Sequence, residues 1–228
     1  GVLIAPILLF IIIEVIGASK LSVNFHFKSI CKAETNEKIV SITFDDGPQG
    51  EATEKVLSVL KEHNATGTFF CIGKKISTEI SLLKKLDEAG HIVANHSYTH
   101  GNLFNLQTTN KLTEELELTN KTIKEAIGKT PVFFRPPYGV ATPALGRAIK
   151  NNKMVSVGWN IRSFDTSIKD PEKIFEKIKP QITPGSIILL HDRVEGCDVV
   201  VRLLLNFLKE NNYTVVNLDK LINQPAYA

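Results

Sequence analysis

Cysteine is scarce in this sequence and so is any strong excess of charge. Cys31, Cys71 and Cys197 are the only cysteines in 228 residues, far apart and without C-x-x-C spacing. That argues against a disulfide framework and against a cysteine zinc site, and leaves only a single Cys31–Cys197 bridge open. Cys71 lies in the apolar run TGTFFCI and reads as a small buried hydrophobe. The formal net charge of +3 is too small to argue for nucleic acid, and no obligate protein partner is evident. Long apolar runs are few as well. The opening GVLIAPILLFIIIEVIG carries one charge, Glu14, and is by itself marginal against the roughly 20 apolar residues that a bilayer crossing needs. It reads as the end of a membrane helix or an interfacial anchor, with packing on a neighbouring molecule as the plain alternative. Membrane association through residues 1–17 is the expectation carried forward.

What is present from residue 39 onward is alternation. Apolar, β-branched or aromatic runs cover 39–44, 66–72, 91–96, 132–136, 154–161, 186–192 and 213–218. Between them lie stretches with helical periodicity, several of which close on Gly or Asn as helix C-termini do. Seven strand candidates alternating with helices predict parallel βα units in one α/β domain, as a distorted barrel or an open sheet. The near-continuous apolarity of the strands favours a barrel wall buried on both faces. No linker, repeat or low-complexity tract interrupts 39–222, so the expected layout is a leader over 1–38 and one domain over 39–228.

Polar residues fall at the ends of the runs. Asp45 and Asp46 follow the first, His96 ends the third, Arg135 to Tyr138 end the fourth, Asp165 lies past the fifth, and His191 and Asp192 end the sixth. In a βα barrel the carboxyl ends of the strands form one functional rim. His96 and His100, four residues apart in HSYTH, can grip one ion from a helix or a wound turn, and Asp46 is a candidate third ligand. HxxxH alone is a weak signal. Its strength comes from the other strand ends that accompany it.

TFDDGP, HSYTH, RPPYG and LLHD, in this order and at these separations, resemble the motifs of the polysaccharide deacetylase family, also called the NodB-homology domain or carbohydrate esterase family 4. The resemblance covers roughly residues 39–222. It implies a distorted (β/α) barrel of about seven parallel strands and metal-dependent removal of acetyl groups from glycans. By position it implies Asp45 as general base and Asp46, His96 and His100 as ligands of one divalent ion. Zinc is the expected ion, with cobalt, nickel and manganese as alternatives. Arg135 would hold the base, Tyr138 would serve the oxyanion through its backbone N–H, and His191 would be the general acid, oriented by Asp165. Leu190 would wall the acetyl pocket, with Pro136 beside it. The family's Asp-x-x-Asp-Trp string is replaced here by RSFDT, so Arg162 and Thr166 depart from the pattern. Trp159 or Phe164 is expected to supply the missing wall, and Arg162 turns the field toward an anionic glycan.

The functional expectation is an envelope glycan N-deacetylase acting on peptidoglycan, the foremost substrate, or on a chitooligosaccharide-like glycan, membrane-anchored outside the cytoplasm. An O-acetyl esterase on xylan or another acetylated polymer and a non-catalytic glycan-binding module stand as alternatives. His26, His63 and His91 have no partners in these motifs and read as structural.

Overall fold

The computed structural model describes residues 4–228, so residues 1–3 of the expected leader lie outside the described residues. The strands are β1 (Ser29–Ile30), β2 (Ile39–Gly47), β3 (Thr68–Cys71), β4 (Ile92–Asn95), β5 (Phe133–Phe134), β6 (Val155–Val157), β7 (Ile161–Arg162), β8 (Ile187–His191) and β9 (Thr214–Val215). All pair in parallel, in the order β1-β6-β5-β4-β3-β2-β8-β7, with β9 added beside β2. β1 and β7 end that order without pairing with each other, so the barrel is an incompletely closed, distorted parallel half-barrel. Six of the seven predicted runs each give one strand. The run over 154–161 gives two, because the chain leaves the sheet at Gly158–Asn160 and re-enters as β7.

The second addition comes from the segment read as leader. Ser29 and Ile30 pair with Ser156 and Val157, Lys32 bridges to Ser186, and Ala33 N–H donates to the Gly185 carbonyl at 2.9 Å. Residues 29–33 are thus part of the sheet. Two residues carry too little periodicity to announce a strand, which is why the sequence gives no sign of it. The helix α1 (Ile4–Ser19) precedes it. All three cysteines are free and buried, so the Cys31–Cys197 bridge is absent.

Alternation along β2 sets up everything that follows. Val40, Ile42 and Phe44 face a core layer shared with α2 (Gly50–Glu62) and the helix Cys197–Glu210, where Val56, Leu60, Val200 and Leu204 meet them. The intervening Ser41, Thr43 and Asp45 are buried too, but on the other face. β8 is paired in register beside them, Thr43 with Leu189 and Asp45 with His191. A polar ladder therefore climbs the inner face of the half-barrel and ends at its carboxyl rim.

Candidate active site

Consecutive residues in a regular strand point to opposite faces, yet Asp45 and Asp46 both line one cleft of about 250 Å³. The backbone explains it. Between β2 and β3 the register slips, Asp45 opposing Phe70 and Gly47 opposing Cys71, so Asp46 is an extra residue in a bulge. Asp46 has φ +72°, a left-handed conformation that re-aims its side chain toward the rim. Asp45 Oδ1 accepts from Arg135 Nη1 at 2.8 Å. Its Oδ2 lies 3.8 Å from His96 Nε2.

Asp46 Oδ1 stands 3.5 Å from His96 Nε2 and 3.4 Å from His100 Nε2. Two ligand atoms each bonded at about 2.0–2.1 Å in a tetrahedral arrangement are about 3.3–3.4 Å apart, so these separations fit a single small divalent ion. The donor chemistry fits as well. His96 Nδ1 donates to the Arg135 carbonyl at 2.8 Å, and since that oxygen only accepts, the bare ring nitrogen is Nε2, the one facing Asp46. Burial and the neighbouring His96 lower the pKa of His100 to about 4, so it is neutral near pH 7. Asp46 is held well below the usual carboxylate range. Burial would raise it, but His96 and Arg193 together outweigh burial.

HSYTH is a wound turn rather than a helix. Ser97 and His100 take positive φ of 65° and 50°. Glu115, on the helix Thr109–Ile127 and in none of the motifs, holds the turn: its Oε2 accepts from Tyr98 N–H at 2.9 Å and Thr99 N–H at 2.8 Å, and its Oε1 from Thr99 Oγ1 at 2.7 Å. Asn95 adds an acceptor for Ser97 N–H at 2.9 Å. Neither residue has a local spacing that would mark it. The same holds for Arg193, whose Nε donates to Asp46 Oδ2 at 2.7 Å, occupying the oxygen that Asp46 turns away from the histidines.

His191 faces the cleft from β8. Its Nδ1 meets Asp165 Oδ1 at 2.8 Å, and its backbone N–H donates to Asp165 Oδ2 at 2.7 Å. Burial pulls the imidazole pKa down, but the hydrogen bond and charge of Asp165, with Asp45 and Asp46 beyond, raise it overall. Period-two alternation corrects one assignment: Leu189, two residues before His191, lines the cleft, whereas Leu190 is fully buried in the layer under α2. Pro136, Tyr138, Gly139, Trp159, Arg162 and Thr166 complete much of the wall. Tyr138 has φ +62°, an outlier for a bulky residue, and its hydroxyl donates to the His100 carbonyl at 3.2 Å. Gly139 is needed for close approach, because a Cβ there would lie 2.6 Å from the Trp159 ring. His91 is buried and accepts from Gly67 N–H at 3.1 Å, away from the cleft.

A parallel half-barrel with an Asp–His–His cluster at its carboxyl rim has the architecture of a hydrolase. The polysaccharide deacetylase profile matches residues 32–157. The chain is 33% identical over 196 residues to the peptidoglycan-N-acetylmuramic acid deacetylase PdaA of Bacillus subtilis, covering 82% of this chain and 73% of PdaA. It is 31% identical over 193 residues to the peptidoglycan-N-acetylglucosamine deacetylase PgdA of Listeria monocytogenes, covering 85% of this chain but 40% of PgdA. Among solved structures, Bc1960 peptidoglycan N-acetylglucosamine deacetylase superposes with a TM-score of 0.83 at 26% identity, over 88% of this chain and 95% of that one. BA3943 of Bacillus anthracis, a CE4 family pseudoenzyme, superposes at 0.80 with 25% identity, over 87% and 71%. The chain belongs to the polysaccharide deacetylase family, carbohydrate esterase family 4, and is a hydrolase of that family.

The His191–Asp165 pair yields a pH test. A histidine whose folded pKa is raised adds stability that is fully present below its unfolded value near 6.5 and is lost as pH rises through the folded value. Asp165→Asn removes the charge that raises it, so the His191 titration followed by NMR in metal-free protein shifts downward. An unmoved titration contradicts the pairing.

Proposed function

We propose that this protein is a metal-dependent deacetylase of an envelope glycan, removing N-acetyl groups from peptidoglycan. The observation that carries the reading is the division of one aspartate pair, Asp45 onto Arg135 and Asp46 onto His96 and His100, across a cleft from the His191–Asp165 pair. Asp46, His96 and His100 would hold the ion, zinc being the foremost candidate and cobalt, nickel or manganese alternatives. A divalent ion bound there supplies Lewis acidity, polarising the acetyl carbonyl and acidifying water.

The chain's own residues supply the rest. Asp45, fixed through Oδ1 by Arg135, takes a proton from the attacking water at Oδ2. The water oxygen bonds to the acetyl carbon, and the backbone N–H of Tyr138 would stabilise the oxyanion. His191, its pKa raised by Asp165 against the effect of burial, delivers a proton to the sugar nitrogen as the C–N bond breaks, releasing acetate and a free amine. Leu189 and Trp159 bound the space for the acetyl methyl. The presence of every residue in this set favours catalysis over a binding-only role.

Arg162 and Arg193 both reach the cleft, and a positive field favours an anionic sugar. That supports an N-acetylmuramic acid residue, which bears a carboxylate, over N-acetylglucosamine. Among the described residues no helix is long and apolar enough to cross a membrane. α1 nevertheless exposes Leu8, Leu9, Ile12, Ile13, Val15 and Ile16, which supports seating at a membrane surface on the outer side of the cytoplasmic membrane.

Protein stripped by a chelator and reloaded with zinc or cobalt is expected to release acetate from peptidoglycan, faster from N-acetylmuramic than from N-acetylglucosamine residues. Asp45→Asn keeps the metal and loses at least about a hundredfold in kcat, while Asp46→Ala loses the metal. Metal-dependent acetate from acetylxylan alone would replace the amidase reading with an esterase. No acetate from either polymer would end the catalytic reading. In a vesicle flotation assay the full chain floats with the lipid and a variant with Leu8, Leu9, Ile12 and Ile13 changed to Ser does not. Equal flotation of the two overturns the membrane seating.

A further inference from the structure

Past His191 the chain turns back on the end of β2, and its next two residues go opposite ways. Arg193 reaches the cleft and bonds Asp46. Asp192 goes inward and is fully buried. Its Oδ2 accepts from Thr53 Oγ1 at 2.5 Å, and Thr53 Oγ1 in turn accepts from the backbone N–H of Gln49 at 2.8 Å. The same carboxyl lies against Gly47, where a Cβ would sit 2.2 Å from Asp192 Oδ2. In the segment Asp46 to Gln49, Asp46 is therefore hydrogen-bonded by Arg193 and Gln49 by Thr53, and the Asp192 carboxyl packs against Gly47 between them.

No step of the proposed reaction uses Asp192. A buried carboxyl is a costly group to keep, and Asp192 Oδ1 makes no hydrogen bond among the described residues. Hydrogen-bond satisfaction alone does not explain why an apolar side chain does not stand there. Asp46, on the other hand, needs an anchor, because a left-handed φ in a non-glycine residue persists only where its surroundings over-determine it. On its upstream side Asp45 is pinned by Arg135. On its downstream side the only side-chain hydrogen bonds that reach into the core, among the described residues, are those of the Gln49–Thr53–Asp192 chain.

We propose that Asp192, acting through Thr53, is a positioning residue that locks the turn after Asp46 to the strand of His191, so that the gap between the metal-ligand side and the acid side of the cleft is set from inside the core. The inference rests on Asp46 being a metal ligand. Asp192 directly follows His191, and β2 and β8 are hydrogen-bonded neighbours with Asp45 opposite His191. One buried carboxyl thereby fixes the ends of both strands to each other.

Thr53→Val is nearly isosteric, lies outside the cleft and removes the single hydroxyl that joins Gln49 to Asp192. In the full chain it is expected to weaken zinc binding in equilibrium dialysis by about 10- to 100-fold. It should also alter the visible absorption of the cobalt-loaded protein and lower kcat more than it changes KM. Thr53→Ser restores all three to within about threefold. Asp192→Asn, which keeps the acceptor, stays near wild type, and Asp192→Ala follows Thr53→Val. A merely structural role would lower the melting temperature and leave zinc affinity, the cobalt spectrum and kcat unchanged, and that result overturns the proposal. If Asp192→Ala does not fold, Thr53→Val alone decides. Asp46→Ala separates the two levels: zinc binding that survives it removes the ligand reading itself. Zinc binding lost in Asp46→Ala but intact in Thr53→Val removes only the positioning role.

Discussion

A guanidinium with no access to water must find every partner inside the protein, and Arg135 is such a group. Its Nε donates to the Val157 carbonyl at 3.2 Å, Nη2 to the Gly158 carbonyl at 2.8 Å, and Nη1 to Thr43 Oγ1 and Asp45 Oδ1, both at 2.8 Å. Phe70 lies under it with its ring centroid 4.1 Å away. Burial lowers its pKa, and Asp45 offsets part of that. Removing one partner of a buried ion pair typically costs about 3–5 kcal/mol, so the pair is fixed in place by the cost of leaving it. The backbone carbonyl of Arg135 also sets the tautomer of His96. The orientation of the Asp45 carboxylate and the tautomer of His96 thus depend on one residue.

The second constraint is the bulge after Asp45. Two adjacent carboxylates in an unbroken strand would point apart, and only one could serve the rim. The extra residue at Asp46 brings both to the same cleft, where they face different partners: Asp45 meets Arg135, and Asp46 meets the histidines and Arg193. The polar ladder Ser41, Thr43, Asp45 is the strand's inner face carried to its end. Thr43 is more than a spacer, since its hydroxyl donates to the Ile188 carbonyl at 2.8 Å while accepting from Arg135.

Much of this was legible in the sequence because its signals are local. Strand runs, helix periodicity and ionisable groups at run ends gave the parallel α/β architecture, and four ordered motifs gave the family. The misses have physical reasons. β1 is too short to show a period, and the run over 154–161 is apolar throughout although its chain leaves the sheet midway. Leu189 and Leu190 are chemically identical, so only the phase set by His191 distinguishes the cleft wall from the core. Glu115, Asn95, Arg193 and Thr53 act on the site from elements far along the chain or in contexts without a motif. Their partners exist only once the sheet has folded.

The central claim is that the two aspartates are divided between one ion and one guanidinium. Diffraction from zinc-loaded crystals at the zinc absorption edge tests it most directly. One anomalous peak is expected at the cleft, bonded at about 2.0–2.2 Å to Asp46, His96 Nε2 and His100 Nε2, with the Asp45 carboxylate unbonded to zinc and still on Arg135. A peak bonded to both aspartates, or one located away from these three residues, would contradict it.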